Sequence, residues 1–128
     1  MRLLLDTHVL VWWLEDNPKL KSEICEVIAN PENEIFISSV TIWEISIKKG
    51  KGQLDVTDDL AGILQKAGYQ SLDITFAHGW AAGKLPLLHR DPFDRMLIAQ
   101  AQIENLILVT EDAQILNYQV STFPARKP

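Results

Sequence analysis

The sequence predicts an α/β fold in which a parallel sheet is covered by helices on both faces. Short apolar runs at residues 3–5, 35–37 and 106–109 are typical of buried strands. The segments between them carry apolar side chains at helical spacing, as at Leu20 and Ile24. Because strands alternate with helices along the chain, we expect βαβ crossovers and one parallel sheet.

In the first half of the chain, each helix follows a residue that can cap it or a break. The predicted helices span residues 8–15, 19–29 and 40–49. Asp6-Thr7 can cap the first, which is apolar on nearly every side, and Asn17-Pro18 breaks the chain before the second. Ser38-Ser39 can cap the third, whose apolar stripe is predicted to be Val40, Trp43 and Ile47.

In the second half, glycine, proline and capping residues again divide the chain. The predicted helices span about 58–67, 76–84, 91–103 and 113–117. Gly68 stops the first of these, Thr75 can cap the second, and Asp91-Pro92 is typical of an N-cap followed by proline at the first helical position. A short strand at 72–74 and a weak one at 120–123 bring the strand count to five. The tail 125–128 is expected to be loose.

Composition fits one compact domain over residues 1–128. The chain is 47% hydrophobic and 23% charged, so a sizeable core can form. The net charge of −5 argues against broad electrostatic coating of nucleic acid, but it permits a nucleic-acid enzyme whose basic residues are local. Cys25 is the single cysteine, which excludes an internal disulfide and a cysteine-built zinc site. With no signal peptide and no apolar run long enough to span a membrane, we expect a cytoplasmic protein.

Four carboxylates are predicted to meet at one rim of the sheet. Asp6 directly follows the first strand, and Asp112 lies just past the 106–109 strand. Glu44 is in the second turn of the helix that leaves the second strand, and Asp94 begins a helix at the same edge. In parallel sheets, ligands bind beyond the carboxyl ends of the strands.

Each of these acids also has a purely structural explanation. Asp6 can serve only as a cap, Asp94 can interact only with the helix dipole, and Asp112 can be a turn residue. Glu44 stands four residues before Lys48, the favourable order for a surface pair worth about 0.2–0.5 kcal/mol. The joint pattern favours a metal, since clustered carboxylates repel one another and a divalent cation relieves that repulsion. All-oxygen ligands favour Mg²⁺ or Mn²⁺ over zinc.

Other candidate residues carry weaker signals. His89 lies beside the charged turn at Asp91 and is interpreted as structural or substrate-contacting before catalytic. His8 is expected to pack or cap, and His78 to lie on a helix surface. The four tryptophans are expected to be mostly core, with some available to a partner surface.

Four stretches of the sequence resemble PIN-domain ribonucleases, and most closely the VapC-type toxins of bacterial type II toxin–antitoxin pairs. The stretches are Leu3-Leu4-Leu5-Asp6-Thr7-His8, Ser38-Ser39-Val40-Thr41-Ile42-Trp43-Glu44-Ile45, His89-Arg90-Asp91-Pro92-Phe93-Asp94-Arg95 and Thr110-Glu111-Asp112. The resemblance covers almost the whole chain, and the third stretch is its most specific part. It implies a three-layer α/β/α sandwich with a mainly parallel five-stranded sheet. Glu111 departs from the family pattern, which often has a small or neutral residue there.

The resemblance also implies a function and a set of residues. It assigns the catalytic and metal-binding acids to Asp6, Glu44, Asp94 and Asp112, and the supporting hydroxyl to Thr110. It implies an Mg²⁺- or Mn²⁺-dependent endoribonuclease, a homodimer or higher oligomer, and a cognate antitoxin that blocks the site. Asp91 is expected to hold the turn, with Arg95 as its candidate partner.

Three basic residues are candidates for contacts to the RNA backbone, namely Arg90, Arg95 and Lys48. For the two arginines, pairing with Asp91 or Asp94 is an equal expectation.

Two other functional classes remain open from the residues. One is a different metal-dependent phosphoryl-transfer enzyme, such as a DNA nuclease or a phosphatase. The phosphatase lacks support, because the position two after Asp6 is His8 and not a second aspartate. The other is a non-catalytic binding or signalling domain, such as a phospho-accepting receiver or an inactive PIN-like binder. A receiver would need an acid pair after the first strand, and the presence of all four acids counts against an inactive binder.

Overall fold

A computed structural model describes residues 1–124 of the chain, and the predicted loose tail 125–128 lies outside them. The strands are β1 Arg2–Leu5, β2 Glu34–Ser38, β3 Gln70–Leu72, β4 Ile107–Val109 and β5 Thr122–Phe123. The helices are α1 Thr7–Leu14, α2 Ser22–Ala29, α3 Ser39–Gly50, α4 Leu60–Lys66, α5 Phe76–Lys84 and α6 Pro92–Glu104, with a 3₁₀ turn at Ile115–Asn117. Each of these helices is too short or too polar to cross a membrane.

The five strands form one all-parallel sheet in the order β3-β2-β1-β4-β5. β1 is central, and each of its leucines Leu3, Leu4 and Leu5 is fully buried. Alternate side chains point to opposite faces of a strand, so Leu3 and Leu5 pack against one layer of helices and Leu4 against the other. The predicted three-layer α/β/α sandwich is confirmed.

The two helical layers are divided by the sheet. On one face, β1 packs against apolar side chains of α1, α2 and α4, such as Leu10, Ile24 and Leu64. On the other face, α6 supplies Leu97 and Ile98. A crossover on each side lets all strands run in the same direction, which places their carboxyl ends at one edge.

Several sequence expectations shift by a few residues. β3 ends at Leu72, so it lies upstream of the predicted 72–74 strand. α2 begins at Ser22 because Lys21 has an extended backbone conformation at the N-cap. The predicted helix over 113–117 is a single 3₁₀ turn.

The exposure predicted for two side chains, Trp43 and His78, was wrong. The buried face of α3 is Val40, Thr41 and Ile45, while Trp43 is 59% exposed. Trp80 is also exposed. His78 was expected at a surface but is fully buried. Both of its ring nitrogens have protein partners, because Nδ1 accepts a hydrogen bond from the Thr75 N–H at 3.0 Å and Nε2 lies 2.9 Å from Glu104 Oε2.

The connection between α5 and α6 is held by two buried side chains, Arg95 and Tyr118. The Arg95 guanidinium donates hydrogen bonds to five backbone carbonyls, those of Ala82, Gly83, Leu85, Pro86 and His89. The Tyr118 hydroxyl donates to Pro86 O at 2.6 Å and accepts from the N–H groups of Leu88 and His89. The connection between α5 and α6 is therefore fixed by hydrogen bonds from these two side chains.

The structure contradicts the expectation that Arg95 pairs with an aspartate, while the predicted contact of Arg95 with RNA stays a prediction that its burial disfavours. Its side chain is buried and directed into the loop, and in residues 1–124 it forms no ion pair with Asp91 or Asp94. A buried cation is stable here because carbonyl dipoles replace its hydration.

Replacing Arg95 with methionine should lower the free energy of unfolding by about 3 kcal/mol, because the charged donor is lost and several carbonyls lose their partner. Urea denaturation measures this change. The matched control is Arg90→Met, since Arg90 is exposed in the same loop and should change stability by less than about 0.5 kcal/mol. Equal stability of the Arg95 variant and the wild type would contradict the role given to this side chain.

Candidate active site

The ends of β1 and β4 and the start of α6 bring three aspartates to one edge of the sheet. Asp6 follows the last residue of β1, and Thr110 follows the last residue of β4, with Asp112 two positions later. Leu5 and Val109 are register partners, so both strands end at the same level. Asp94 lies in the first turn of α6, which starts at this edge.

Asp6 is a buried carboxylate that also caps α1. Its Oδ1 accepts a hydrogen bond from the Val9 N–H at 2.8 Å, and the residue is only 4% exposed. Burial raises its pKa to about 6, against the opposing effects of hydrogen bonds from Thr110 and Val9. The nearby charge of Asp112 adds to the increase. The cap predicted from sequence is confirmed, and the same carboxylate faces the other acids.

Asp94 is the second perturbed carboxyl group. Burial raises its pKa to about 7, and the charges of Asp91, Asp6 and Asp112 act in the same direction. His89 acts in the opposite direction. Like charges at this edge of the sheet oppose one another's ionisation, which favours the neutral form of Asp94.

Asp91 has a different task from Asp94. Its Oδ1 accepts from the N–H groups of Phe93 at 2.8 Å and Asp94 at 3.3 Å, so it is the N-cap of α6. Pro92 occupies the first helical position, as predicted. The cap fixes the direction of the first turn, and this turn carries Asp94 to the cluster.

Thr110 links two of the acids. Its hydroxyl donates to Asp6 and accepts from the Asp112 N–H, at 3.0 Å between Asp112 N and Thr110 Oγ1. Asp112 Oδ1 in turn accepts from the Gln114 N–H at 2.8 Å. Thr110 therefore joins Asp6 to the backbone of Asp112 by hydrogen bonds.

His89 lies at the centre of the cluster, and sequence reasoning underestimated it. Its Nε2 is 2.8 Å from Asp94 Oδ2 and 3.2 Å from Asp112 Oδ2. One ligand atom from each of these three residues lies within 4.8 Å of the others, a spacing compatible with one metal ion. The available signal was the position of His89 directly before Arg90-Asp91 in the most specific stretch of the sequence.

Glu44 is not brought into the same hydrogen-bonded group. It lies in α3 and forms an ion pair with Lys48, at 3.1 Å between Glu44 Oε2 and Lys48 Nζ. In the described part of the chain, no hydrogen bond or ion pair joins Glu44 to the aspartates. Its neighbour Trp43 packs edge-on against Phe93, at 5.3 Å between ring centroids, so α3 contacts the first turn of α6.

An open cavity of about 290 Å³ lies beside the acids. It is lined by Asp6, His8, Val9, Trp12, Glu111 and Asp112. His8 and Trp12 form one wall, with 6.2 Å between their ring centroids. Glu111 forms an ion pair with Lys21 at 3.7 Å. The cavity therefore opens onto Asp6 and Asp112 beside an aromatic wall.

The PIN domain family model matches residues 3–120 of the chain. None of the curated protein sequences compared with this chain matches it.

Solved structures with a similar fold include VapBC2 from Rickettsia felis bound to a promoter DNA fragment, at 19% identity and TM-score 0.70 over 95% of this chain and 97% of that one. DNA-bound VapBC from Salmonella typhimurium has 16% identity and TM-score 0.68, over 95% and 96% of the two chains. A toxin–antitoxin complex from Klebsiella pneumoniae has 18% identity and TM-score 0.64, over 94% of each chain.

The raised pKa values predict how stability depends on pH. In the unfolded chain Asp6 and Asp94 have the ordinary value of 3.8, whereas in the folded chain their pKa values are about 6 and about 7. Their contribution to stability is therefore full at acid pH and is lost as the pH rises through these values. Metal-free protein should lose unfolding free energy from about pH 4, near the unfolded value, to about pH 7, near the higher folded value.

The variant Asp94→Asn cannot ionise at this position, so it should lose less stability over the same interval. Urea denaturation in the presence of a chelator, at both pH values, measures the difference between variant and wild type. Titrating groups that lie away from the cluster are common to the two proteins and cancel. An identical pH dependence for the two would contradict the assigned repulsion at Asp94.

Proposed function

This chain belongs to the PIN-domain family, and from that premise we propose that it is a metal-dependent endoribonuclease, the toxin of a toxin–antitoxin pair. The observation that carries the proposal is the meeting of Asp6, Asp94 and Asp112 at the carboxyl edge of the sheet. Buried like charges destabilise the fold unless a cation or protons neutralise them. The clustering of three carboxylates at one edge of the sheet is better explained by ion binding than by packing.

The donor chemistry fits Mg²⁺ or Mn²⁺. Carboxylate oxygens are the ligands that these hard cations prefer. Asp6 and Asp94 are the main proposed ligands, because both have pKa values raised by burial and by neighbouring carboxylates. Asp112 completes the cluster. Glu44 would have to leave Lys48 in order to join it, so its proposed contribution is through water or through the substrate complex.

The chain's own residues organise the site for phosphodiester hydrolysis. When bound, the metal would lower the pKa of a water molecule and would stabilise negative charge on the phosphate oxygens. Asp6 and Asp94 would hold the ion, and the Thr110 hydroxyl keeps the Asp6 carboxylate in place. This reaction needs no protein nucleophile.

Two basic side chains, Arg90 and Lys48, are the proposed contacts to the RNA backbone. Arg90 is exposed beside the cluster, and Lys48 lies next to Glu44. With a net charge of −5, the chain offers only local attraction to phosphates. Recognition then depends on the shape and aromatic wall of the cavity beside Asp6 as well as on charge.

The proposed partners are a cognate antitoxin and a second copy of the chain. Support comes from the solved structures of similar fold, which are VapBC and toxin–antitoxin complexes. Support also comes from large apolar side chains at the surface of α5 and the loop after it, namely Phe76, Trp80, Leu87 and Leu88. Contiguous exposed apolar groups mark interaction surfaces more often than random surface.

Asp94→Asn should lower RNA cleavage by about 100-fold or more while the protein stays folded, because a neutral amide binds a divalent cation poorly. Cleavage of a labelled RNA with Mn²⁺ measures the rate, and Asp6→Asn should behave in the same way. The matched control is Asp58→Asn, since Asp58 is exposed, pairs with Lys49 outside the cluster and should leave the rate unchanged.

RNA, single-stranded DNA and a phosphomonoester should be tested side by side, and cleavage of RNA alone is expected. Cleavage of DNA at a comparable rate would identify a different nuclease, and no cleavage of any substrate would favour a binding domain. If Asp94→Asn cut RNA as fast as the wild type, the site assignment would be wrong.

Mn²⁺ should also raise the melting temperature, since an ion that binds only the folded chain stabilises it by about 2.7 kcal/mol at 100 times its dissociation constant. Differential scanning fluorimetry measures the shift at increasing Mn²⁺ concentration. The shift should be absent in Asp94→Asn and retained in Asp58→Asn. A wild-type protein whose melting temperature ignores Mn²⁺ would count against a site of this kind.

A further inference from the structure

His89 is positioned by the fold before any ligand is present. Its backbone N–H donates to the Tyr118 hydroxyl at 2.8 Å, and its carbonyl accepts from Arg95 Nη1 at 3.3 Å. Both anchoring side chains are buried. The position of the His89 ring in the cluster is therefore set by the same two residues that hold the α5–α6 connection.

The orientation of the ring indicates which nitrogen carries the proton. The Asp91 N–H donates to His89 Nδ1 at 3.4 Å, so Nδ1 acts as an acceptor and Nε2 carries a hydrogen. That Nε2–H faces two carboxylate oxygens, Asp94 Oδ2 at 2.8 Å and Asp112 Oδ2 at 3.2 Å. A nitrogen that carries a hydrogen has no lone pair in the ring plane to offer a metal ion.

The two oxygens contacted by His89 are atoms that a cation in this cluster would use. All three ligand atoms lie within 4.8 Å of one another, so the ring nitrogen occupies the space between the carboxylates. Ring and cation therefore compete for Asp94 and Asp112.

We propose that His89 is a positioning residue that bridges Asp94 and Asp112 in the metal-free protein and releases them when the cation binds. This inference rests on the proposed metal site. The ring acts through the two carboxylates, and its effect is to weaken cation binding. Without its Nε2–H, the two carboxylates would lose a hydrogen bond and would repel each other more strongly, and a cation would relieve that repulsion.

The test compares two amide variants, each of which keeps the hydrogen bond of only one ring nitrogen. In His89→Asn, the shorter side chain can still accept from the Asp91 N–H but cannot reach the two aspartates. In His89→Gln, the longer side chain can still donate to them. Binding of Mn²⁺ to each purified full-length protein is measured without RNA, from the electron paramagnetic resonance signal of the unbound ion.

His89→Asn should bind Mn²⁺ about tenfold more tightly than the wild type, the effect of one hydrogen bond to a charged group. His89→Gln should stay within about threefold of the wild type. Weaker binding by His89→Asn would overturn the inference and would make His89 a metal ligand. Equal binding by all three proteins would also overturn it and would leave the ring with a structural role alone.

A second measurement needs no variant, in case His89→Asn does not fold. Nitrogen-15 spectra of the wild-type imidazole groups, with and without diamagnetic Mg²⁺, report which ring nitrogen is protonated. The expected result is a protonated, hydrogen-bonded His89 Nε2 that changes its chemical shift on Mg²⁺ addition. An Nε2 without a proton in the metal-free protein, or a shift that Mg²⁺ leaves unchanged, would overturn the inference.

Failure of this inference is distinct from failure of the proposed function. If the wild type binds Mn²⁺ and cuts RNA while His89→Asn binds no more tightly, only the role of His89 is overturned. If the wild type binds no Mn²⁺, the metal-dependent function and the competition at His89 are both overturned.

Discussion

The constraint on which the site depends is the burial of a carboxylate at the end of the central strand. Asp6 follows three fully buried leucines and is itself almost without solvent contact. Its charge can persist only with donors around it, and the Val9 N–H and the Thr110 hydroxyl supply two. The added charges of Asp94 and Asp112 act against ionisation, so the cluster is poised to take up protons or a cation.

A second constraint comes from the loop before α6, which aims the other groups at Asp6. Asp91 caps the helix, and Arg95 one turn later reaches back to the carbonyls of the preceding segment. Tyr118, which directly follows the 3₁₀ turn, fixes the same segment by accepting and donating hydrogen bonds through its hydroxyl. These contacts are remote from any substrate, yet they determine where Asp94 and His89 stand. Metal and substrate positioning require such groups to be held to within about 0.5 Å.

Local signals were enough to predict much of the fold, and long-range contacts explain most of what was missed. Asp91-Pro92 and Asp6 were predictable because a cap depends on neighbours two or three residues away. The number of strands followed from apolar runs. Arg95 and His89 were misjudged because their partners are backbone carbonyls, Tyr118 and Asp112, which no spacing rule relates to them. Trp43 was placed in the core because its apolar character was counted without knowing which face of α3 meets the sheet.

The claim that the buried aspartates form a cation site is tested most directly by crystals grown with Mn²⁺ and measured at the manganese absorption edge. The account predicts an anomalous difference peak bound by carboxylate oxygens of Asp6 and Asp94 at about 2.2 Å. A structure of the Mn²⁺-soaked protein with no peak at this edge of the sheet, or with peaks only at exposed acids such as Asp58, would contradict it.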